Sequence, residues 1–270
     1  MLIDIHAHAA GNYGTVDSIK IMSRKYNIEK IVLCTSPKNM QKLKAPPGMP
    51  FKQKPDSIYM MNRMNRLAYN HFFKGNGDGN QFVCELKNQL PGLIIQFLWV
   101  NPLDTGHMNS LETSIRTYRP KGIKLHQAWN PFKIDGREFK NLVDIASSNK
   151  LPVFIHLYSK KEVLKLLRFI RENQSAVFII GHLTGTDLFC ESGVNLKNVY
   201  FDTSSSGRIQ GSDIKHAIDA FGYEHIVFGT DTPYAGIDEQ LDRLERLKLS
   251  DNAKEHIYSL NARNILKLQD

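Results

Sequence analysis

Short apolar runs alternate with amphipathic stretches along almost the whole chain, and this alternation restricts the possible folds more than any other feature. The runs are rich in β-branched and aromatic residues and apolar at nearly every position, which is typical of strands buried on both faces of a parallel sheet. The predicted strands are Leu2–His6, Lys30–Thr35, Leu93–Asn101, Gly122–His126, Val153–His156, Val177–His182, Val199–Thr203 and Ile226–Gly229.

Helical patterns occupy the intervals between these strands. Ser159 and Ser250 precede two of them and are predicted N-caps. Eight strands that are each followed by a helix fit a closed (β/α)8 TIM barrel of the α/β class better than an open sheet, and such barrels typically contain about 250 residues. The predicted helices are Val16–Tyr26, Leu111–Thr117, Arg137–Asn149, Lys160–Asn173, Ser212–Phe221, Asp238–Leu247 and Asn252–Leu268.

The interval between the second and third strands is longer than the others and predicts an insertion. It contains the proline-rich Ala45–Pro50 and the glycine-rich Gly75–Gly79, with a helical pattern over Ser57–Phe73 between them. Because loops that follow barrel strands lie on the catalytic face, residues 37–81 are predicted to form a lid-like or substrate-binding insertion, with a disordered surface excursion as the alternative. Residues 1–270 show no linker and are interpreted as a single domain.

Composition narrows the classes of function. The three cysteines have no C-x-x-C spacing, so neither a disulfide framework nor a zinc ribbon is indicated. No signal peptide and no apolar run of membrane-spanning length is recognised, so a cytoplasmic protein without a membrane partner is expected. The net charge of +8 is spread through helical segments, which favours a solvated surface over nucleic-acid binding and leaves attraction of an anionic small-molecule substrate open. The sequence also leaves open whether the protein forms a homo-oligomer.

Five potential metal ligands lie at or just after the ends of predicted strands, where an α/β barrel carries its catalytic groups. They are His6, His8, His156, His182 and Asp231. His6 and His8 are separated by one residue on a strand, so their imidazoles share a face and can reach one cation. Taken singly, each later histidine could be a core residue and the aspartate a turn residue. Their joint occurrence at matching strand ends favours a common metal site.

Six motifs follow one another along the chain: Ile3-Asp-Ile-His-Ala-His8, Gly122-Ile-Lys-Leu-His126, Pro152-Val-Phe-Ile-His156, Gly181-His182, Phe228-Gly-Thr-Asp-Thr-Pro233 and Asn261-Ala-Arg-Asn-Ile-Leu266. Their order resembles the amidohydrolase superfamily. The sequence is most similar to the amidohydrolase-related (amidohydrolase 2) group, which includes aminocarboxymuconate-semialdehyde decarboxylase-like and 2-pyrone-4,6-dicarboxylate lactonase-like enzymes. The resemblance covers the whole chain except residues 37–81.

The resemblance implies one divalent metal ion held by His6, His8, His156 and Asp231. It also implies that His182 lies beside the metal-bound water and orients or deprotonates it, while Asp231 can take up the proton. A metal of this kind can lower the pKa of bound water from about 15.7 to about 7. Three imidazoles and one carboxylate suit zinc, with manganese, iron or cobalt as alternatives.

Lys124 and His126 alternate on the fourth predicted strand and therefore share a face. In binuclear members of the superfamily, a carboxylated lysine from this strand bridges two metals. The group that this sequence resembles is mostly mononuclear, so Lys124 is interpreted as packing in the barrel lumen or contacting substrate, with the bridging role as the alternative. His126 is expected to line the pocket.

Two further side chains are candidates for substrate binding. Arg208 follows the seventh strand, where a guanidinium could hold a substrate carboxylate in a two-pronged contact, although an exposed loop arginine is an equal alternative. Tyr158 lies two residues beyond His156 and could reach the pocket. Trp99 and Trp129 are expected to pack in the core or at the rim of the barrel.

Three functions are consistent with these features. The leading hypothesis is a metal-dependent hydrolase, in which metal-activated water attacks an amide, lactone or related carbonyl carbon. The first alternative is a metal-dependent non-oxidative decarboxylase of a small carboxylated substrate, because different reactions use the same ligands in this superfamily. The second alternative is a barrel scaffold without catalytic activity.

Overall fold

Eight parallel strands form one sheet within the computed structural model, which describes residues 1–36, 57–68, 79–204 and 209–268. Each strand pairs in parallel with the next one along the chain. The strands are β1 (Leu2–His8), β2 (Ile28–Cys34), β3 (Ile94–Trp99), β4 (Gly122–His126), β5 (Val153–His156), β6 (Phe178–Ile180), β7 (Val199–Asp202) and β8 (Ile226–Val227).

The two edges of this sheet meet, because the segment that follows β8 pairs with β1. The backbone N–H of Ile5 donates to the carbonyl of Phe228 at 3.0 Å, and that of His8 donates to the carbonyl of Thr232 at 2.8 Å. Ala7 and Thr232 form a parallel bridge between these contacts. The sheet is therefore closed, and the predicted (β/α)8 TIM barrel is confirmed. Closure brings the carboxyl ends of all eight described strands to one face.

Helices follow the strands and bury their apolar faces in a core shared with the sheet. A π-helical segment, His256–Leu260, divides the predicted last helix into two parts. In the described ranges the helices are α1 (Val16–Tyr26), α2 (Ser57–Ala68), α3 (Gly79–Gln89), α4 (Thr105–Tyr118), α5 (Arg137–Ser148), α6 (Lys160–Glu172), α7 (Thr186–Ser192), α8 (Gly211–Phe221), α9 (Ile237–Glu245), α10 (Asp251–Glu255) and α11 (Asn261–Leu266).

Helices α3 and α7 were not predicted from the sequence. The first residue of α3 is Gly79, which ends the glycine-rich stretch that indicated a loop. Helix α7 has seven residues, too few for an amphipathic period to be recognised. In both cases the tertiary packing stabilises a helix that the local pattern does not specify.

Helix α6 illustrates how the local sequence specifies an element that packs against the barrel. The Ser159 hydroxyl accepts from the backbone N–H of Glu162, as predicted for an N-cap, and such a cap contributes about 1 kcal/mol. Ser250 caps α10 in the same way by accepting from Ala253. Apolar residues recur along α6 every three or four positions, and each buried one contributes about 1.5–3 kcal/mol. The buried residues of α6 are Val163, Leu166, Leu167 and Ile170.

The predicted insertion, residues 37–81, lies largely outside the described residues. The structure describes α2 and the first residues of α3 within it. The helix predicted over Ser57–Phe73 agrees with α2 as far as Ala68, and its remainder lies outside the described residues.

Helix α2 is attached to the carboxyl ends of two barrel strands. The side-chain amide of Asn62 donates to the carbonyls of Leu157 at 2.8 Å and Tyr158 at 3.1 Å, just after β5. The Arg66 guanidinium donates to the carbonyl of Gln127 at 2.6 Å, just after β4. Helix α2 therefore lies on the face of the barrel where catalytic groups are carried.

Membrane-spanning and disulfide-bonded elements are absent from the described part of the chain. None of its helices combines the length and the apolar character that crossing a bilayer requires. Cys34, Cys84 and Cys190 are free thiols there.

Candidate metal centre

Three donor atoms converge at the carboxyl end of the barrel. Nε2 of His6 lies 3.5 Å and Nε2 of His8 lies 3.3 Å from Oδ1 of Asp231. All three residues are buried, and their donor atoms lie within 4.8 Å of one another. Donors bound about 2.0–2.1 Å from a tetrahedral zinc ion are about 3.3–3.4 Å apart. The observed separations therefore fit a single divalent ion.

On each of the two imidazoles of β1, the second ring nitrogen, Nδ1, lies within hydrogen-bond distance of an acceptor. Nδ1 of His8 donates to the carbonyl of Thr35 at 2.9 Å, and Nδ1 of His6 lies 3.0 Å from Oδ2 of Asp202. Histidines that bind metals usually donate their second N–H to a carbonyl or carboxylate in this way. Both rings therefore turn Nε2 toward Asp231, as metal coordination requires.

The backbone at Asp231 is held in an uncommon conformation. Its φ of 60° lies in the left-handed region, which costs a residue with a side chain roughly 1–3 kcal/mol. Its N–H donates to the carbonyl of His6 at 2.7 Å. The preceding Thr230 donates its N–H and hydroxyl to the buried Asp4 carboxyl at 3.0 and 2.7 Å. These contacts fix the aspartate opposite the two histidines.

Charges in the cluster favour an ionised Asp231. Burial alone would raise the pKa of Asp231, but the facing imidazoles of His6, His8 and His182 reverse this effect and hold it well below its ordinary value. Burial, together with the ammonium of Lys124, lowers the pKa of His6 well below its ordinary value. Burial also opposes protonation of His8, yet Cys34 and Asp231 outweigh it and raise the pKa of His8 to about 9. The negative charge that attracts a proton to His8 equally favours a metal cation.

His156 and His182 form a second imidazole pair beside this group. β6 ends at Ile180, so His182 lies in the turn after the strand rather than at its end, with φ of 59°. Its Nδ1 donates to the carbonyl of Ser204 at 2.7 Å, and its Nε2 lies 3.0 Å from Nδ1 of His156. Nε2 of His156 faces Oδ1 of Asn62 at 2.6 Å. Coordination of a metal by His156 therefore stays a prediction.

Lys124 and His126 both point into the barrel. Nζ of Lys124 lies 2.6 Å from Nε2 of His6 and 3.7 Å above the ring of Phe154. Burial lowers the pKa of Lys124. His126 stacks on His156 with 4.0 Å between ring centroids, and burial with the nearby Lys124 lowers its pKa well below the ordinary value. Both residues border the donor cluster, as expected for residues of the lumen.

Aromatic side chains surround the donor cluster. Trp99 and Trp129 are buried, stack on each other at 5.3 Å, and each lies 6.2 Å from the ring of His8. The Arg66 guanidinium of α2 lies 3.5 Å above the ring of Tyr158, so this helix covers the predicted pocket residue. Arg208 lies outside the described residues.

Sequence reasoning missed three polar residues that contact the predicted histidines. Asp202 and Ser204 contact Nδ1 of His6 at 3.0 and 2.8 Å. Asp202 ends β7, so the strand-end argument that identified Asp231 would also have found it. Asn62 contacts His156, but no local pattern predicts where an inserted helix docks.

The comparisons with known proteins concern both family and fold. A family model described as amidohydrolase matches residues 3–268. Among proteins of curated function, none matches the chain in sequence. A 2,6-dihydroxybenzoate decarboxylase from Rhizobium has a similar structure, with a TM-score of 0.67 at 15% identity, over 99% of this chain and 98% of that chain.

Two other solved structures are similar to the same extent. A dihydroxybenzoic acid decarboxylase from a Polaromonas species, with bound manganese and the inhibitor 2-nitroresorcinol, has a TM-score of 0.67 at 16% identity, over 99% of this chain and 97% of that chain. A probable 2-pyrone-4,6-dicarboxylic acid hydrolase from Acinetobacter baumannii, with citric acid bound, has a TM-score of 0.68 at 16% identity, over 99% of each chain. At these identities the structures share a fold, whereas the family match extends over nearly the whole sequence. The chain therefore belongs to the amidohydrolase family.

Proposed function

We propose that this protein is a metal-dependent hydrolase that acts on an amide, lactone or related carbonyl substrate. The observation that supports this most is the convergence of three buried donors, His6 Nε2, His8 Nε2 and Asp231 Oδ1, at separations suited to one divalent ion. The acceptors on Nδ1 of both histidines support the same role.

The ion proposed for this site is zinc, with manganese, iron or cobalt as alternatives, because imidazole and carboxylate donors serve all four. A divalent ion there would lower the pKa of a coordinated water to about 7 and polarise a carbonyl oxygen. His156 is proposed as the fourth ligand. Its ring nitrogens face Asn62 and His182, so coordination by His156 requires one of these contacts to give way.

Asp231 and His182 are proposed to handle the proton of hydrolysis. Attack of water on a carbonyl carbon releases a proton, which a positioned base takes up and later returns to the leaving group. Asp231 is ionised because the facing imidazoles hold its pKa low. A neutral His182 that donates Nδ1–H to the Ser204 carbonyl has its lone pair on Nε2, the atom that faces Nδ1 of His156 at 3.0 Å.

The proposed substrate is a small anionic molecule. Lys124 brings an ammonium group to the edge of the donor cluster, and the net charge of +8 favours approach of an anion. His126 and Tyr158 are proposed to line the substrate pocket, and Arg208 to bind a substrate carboxylate. A cytoplasmic location and the absence of nucleic-acid partners stay predictions.

Non-oxidative decarboxylation of a small planar carboxylate is the second candidate. The stacked rings of Trp99, Trp129 and His126 offer flat apolar surfaces beside His8, which suit a conjugated substrate. Two of the similar structures are decarboxylases of dihydroxybenzoates. In this reaction Asp231, after taking a proton from a coordinated water, would donate it to the substrate carbon as carbon dioxide leaves.

Metal analysis and one substitution test the proposed centre. The purified protein is expected to bind about one zinc or manganese ion per chain, and Asp231→Asn is expected to abolish turnover while the circular dichroism spectrum stays unchanged. Asp144→Asn, at an exposed position of α5, is the matched control and should keep full activity. Activity that survives Asp231→Asn, or metal content near zero that added zinc and manganese do not restore, would contradict the proposal and favour the scaffold alternative.

Substrate screening separates the two reactions. A panel of lactones and amides is assayed for release of acid, and a panel of hydroxybenzoates and enol carboxylates is assayed for release of carbon dioxide. Acid release without carbon dioxide supports the hydrolase. Carbon dioxide release that requires the metal and Asp231 replaces it with the decarboxylase.

A further inference from the structure

Asp202 is a buried carboxylate that none of the proposed metal-ligand roles includes. It ends β7 and is fully inaccessible to solvent. Its Oδ2 lies 3.0 Å from Nδ1 of His6 and 3.4 Å from the backbone N of His182, and its Oδ1 accepts from the N–H of Ser204 at 2.9 Å. We propose that Asp202 is a positioning residue that sets the tautomer and orientation of His6 and, through Ser204, those of His182. This inference rests on the proposed metal centre.

The contact with Asp202 favours the tautomer of His6 that leaves Nε2 available to a metal, and the Lys124 ammonium, 2.6 Å from Nε2, favours the same tautomer. A carboxylate can only accept, so a neutral His6 beside it carries its proton on Nδ1. The lone pair is then on Nε2, the atom that faces Asp231 at 3.5 Å. In the opposite tautomer, Nε2–H would point at the cation position and prevent coordination. Asp202 therefore acts on the proposed centre through His6, without being a ligand itself.

Ser204 extends the same control to His182. The Ser204 hydroxyl donates its hydrogen to Oδ2 of Asp202. The hydroxyl oxygen can therefore only accept hydrogen bonds from the two imidazoles. Nδ1 of His6 lies 2.8 Å and Nδ1 of His182 lies 3.2 Å from this oxygen. The Ser204 carbonyl also accepts from His182 Nδ1 at 2.7 Å. Asp202 at the end of β7 and Ser204 just after it thus orient both His6, a proposed ligand, and His182, a proposed proton acceptor.

Gly229 provides an independent observation on the same arrangement. A Cβ atom at this position would lie 2.2 Å from Oδ1 of Asp202 and 3.0 Å from Cβ of His6. The first distance is far shorter than any contact that carbon and oxygen tolerate. The missing side chain at Gly229 therefore provides the space in which the Asp202 carboxylate reaches His6.

A direct role as a metal ligand is the competing explanation for Asp202. The donor atoms of Asp202, His6 and His182 also lie within 4.8 Å of one another. Both carboxylate oxygens, however, already accept from N–H or O–H groups, and a second ion would have to displace these donors. The contacts favour positioning over coordination.

Two measurements on wild type and Asp202→Asn test the positioning role. The amide can turn its NH2 toward Nδ1 of His6 and donate to it, which places the ring proton on Nε2. Zinc affinity, measured by competition with a chelator, is expected to fall roughly 10- to 100-fold. In ¹⁵N NMR spectra of the metal-free protein, His6, assigned by comparison with His6→Gln, is expected to change from the Nδ1–H to the Nε2–H tautomer. Asp144→Asn should change neither readout.

The outcomes separate this inference from the proposed function. A wild type that binds one zinc ion, with equal affinity in Asp202→Asn, overturns the positioning role and leaves the metal centre intact. If the wild-type protein does not bind zinc, the proposed metal centre is overturned. The tautomer of His6 in the metal-free protein then still tests the positioning role of Asp202. Two zinc ions in wild type and one in Asp202→Asn identify Asp202 as a ligand and overturn the inference. If Asp202→Asn does not fold, an Nε2–H tautomer of His6 in the wild type overturns it.

Discussion

Oδ1 of Asn62 lies 2.6 Å from Nε2 of His156, so a residue of the inserted helix α2 contacts an imidazole at the mouth of the barrel. The same side chain donates to two carbonyls after β5, and these bonds fix which end of its amide faces the histidine. Helix α2 is therefore part of the candidate centre rather than an appendage to the barrel. Its sequence contributes to the orientation of His156.

Asn62→Ala is expected to loosen α2. The substitution removes three contacts of a fully buried side chain, and leaving the carbonyls after β5 without a donor costs about 1–3 kcal/mol. Amide hydrogen exchange over residues 57–68 should accelerate correspondingly. Met64→Ala, on the exposed side of α2, is the control and should leave exchange unchanged. Equal exchange rates in Asn62→Ala and wild type would show that α2 is held by other contacts.

Lys124→Met is expected to leave one metal ion per chain bound at least as tightly as in wild type. The substitution removes an ammonium that lies 2.6 Å from Nε2 of His6, and a cation next to a ligand opposes binding of a second cation. Zinc stoichiometry and affinity of both proteins provide the measurement. Loss of a second ion on substitution would instead identify Lys124 as a bridging, carboxylated lysine.

Gly229→Ala is expected to destabilise the protein by about 1–3 kcal/mol, since the new methyl group overpacks the site. It should also weaken zinc binding, because Asp202 cannot keep its position beside His6 with a methyl group 2.2 Å from its Oδ1. Urea unfolding and zinc competition measure the two effects. Gly236→Ala is the matched control, as a Cβ there has no neighbour within 4 Å. A Gly229→Ala protein as stable as this control would be at odds with the packing described.

Glu162→Gln is expected to lower stability by about 1–2 kcal/mol near neutral pH. Burial would raise the pKa of Glu162, but hydrogen bonds from Lys165, Gln127 and the N–H of Ile134 outweigh it and lower that pKa below its ordinary value. A depressed folded-state pKa stabilises the protein above the unfolded value, and this contribution disappears as the pH falls through the folded value. Wild type and variant should therefore become similar in stability at acidic pH.

Urea unfolding at about pH 7 and about pH 3 provides the measurement for Glu162→Gln. Glu239→Gln, which removes the exposed partner of Arg243 on α9, is the control and should change stability little at either pH. A difference between wild type and Glu162→Gln that stays constant with pH would mean that the carboxylate charge is not what stabilises the folded state.

The barrel itself was predictable because its elements are encoded locally. Continuous apolar runs indicated all eight described strands, and the bounds of β4 and β5 agree with the prediction at both ends. The capping serines marked the starts of α6 and α10. The predicted strand ends were less accurate. β6 ends at Ile180, because the turn that carries His182 continues the apolar run but not the hydrogen-bonded strand pairing.

The amino-acid sequence alone determined the barrel and the candidates His6, His8, His156, His182 and Asp231, because strand periodicity and strand ends are local properties. Only the tertiary structure decided which donors converge, since the distances among His6, His8 and Asp231 depend on closure between β1 and the segment after β8. The contacts of Asp202 and Asn62 with the histidines likewise arise from residues far apart in the chain. Such separations are set by packing of the whole barrel, which no local pattern contains.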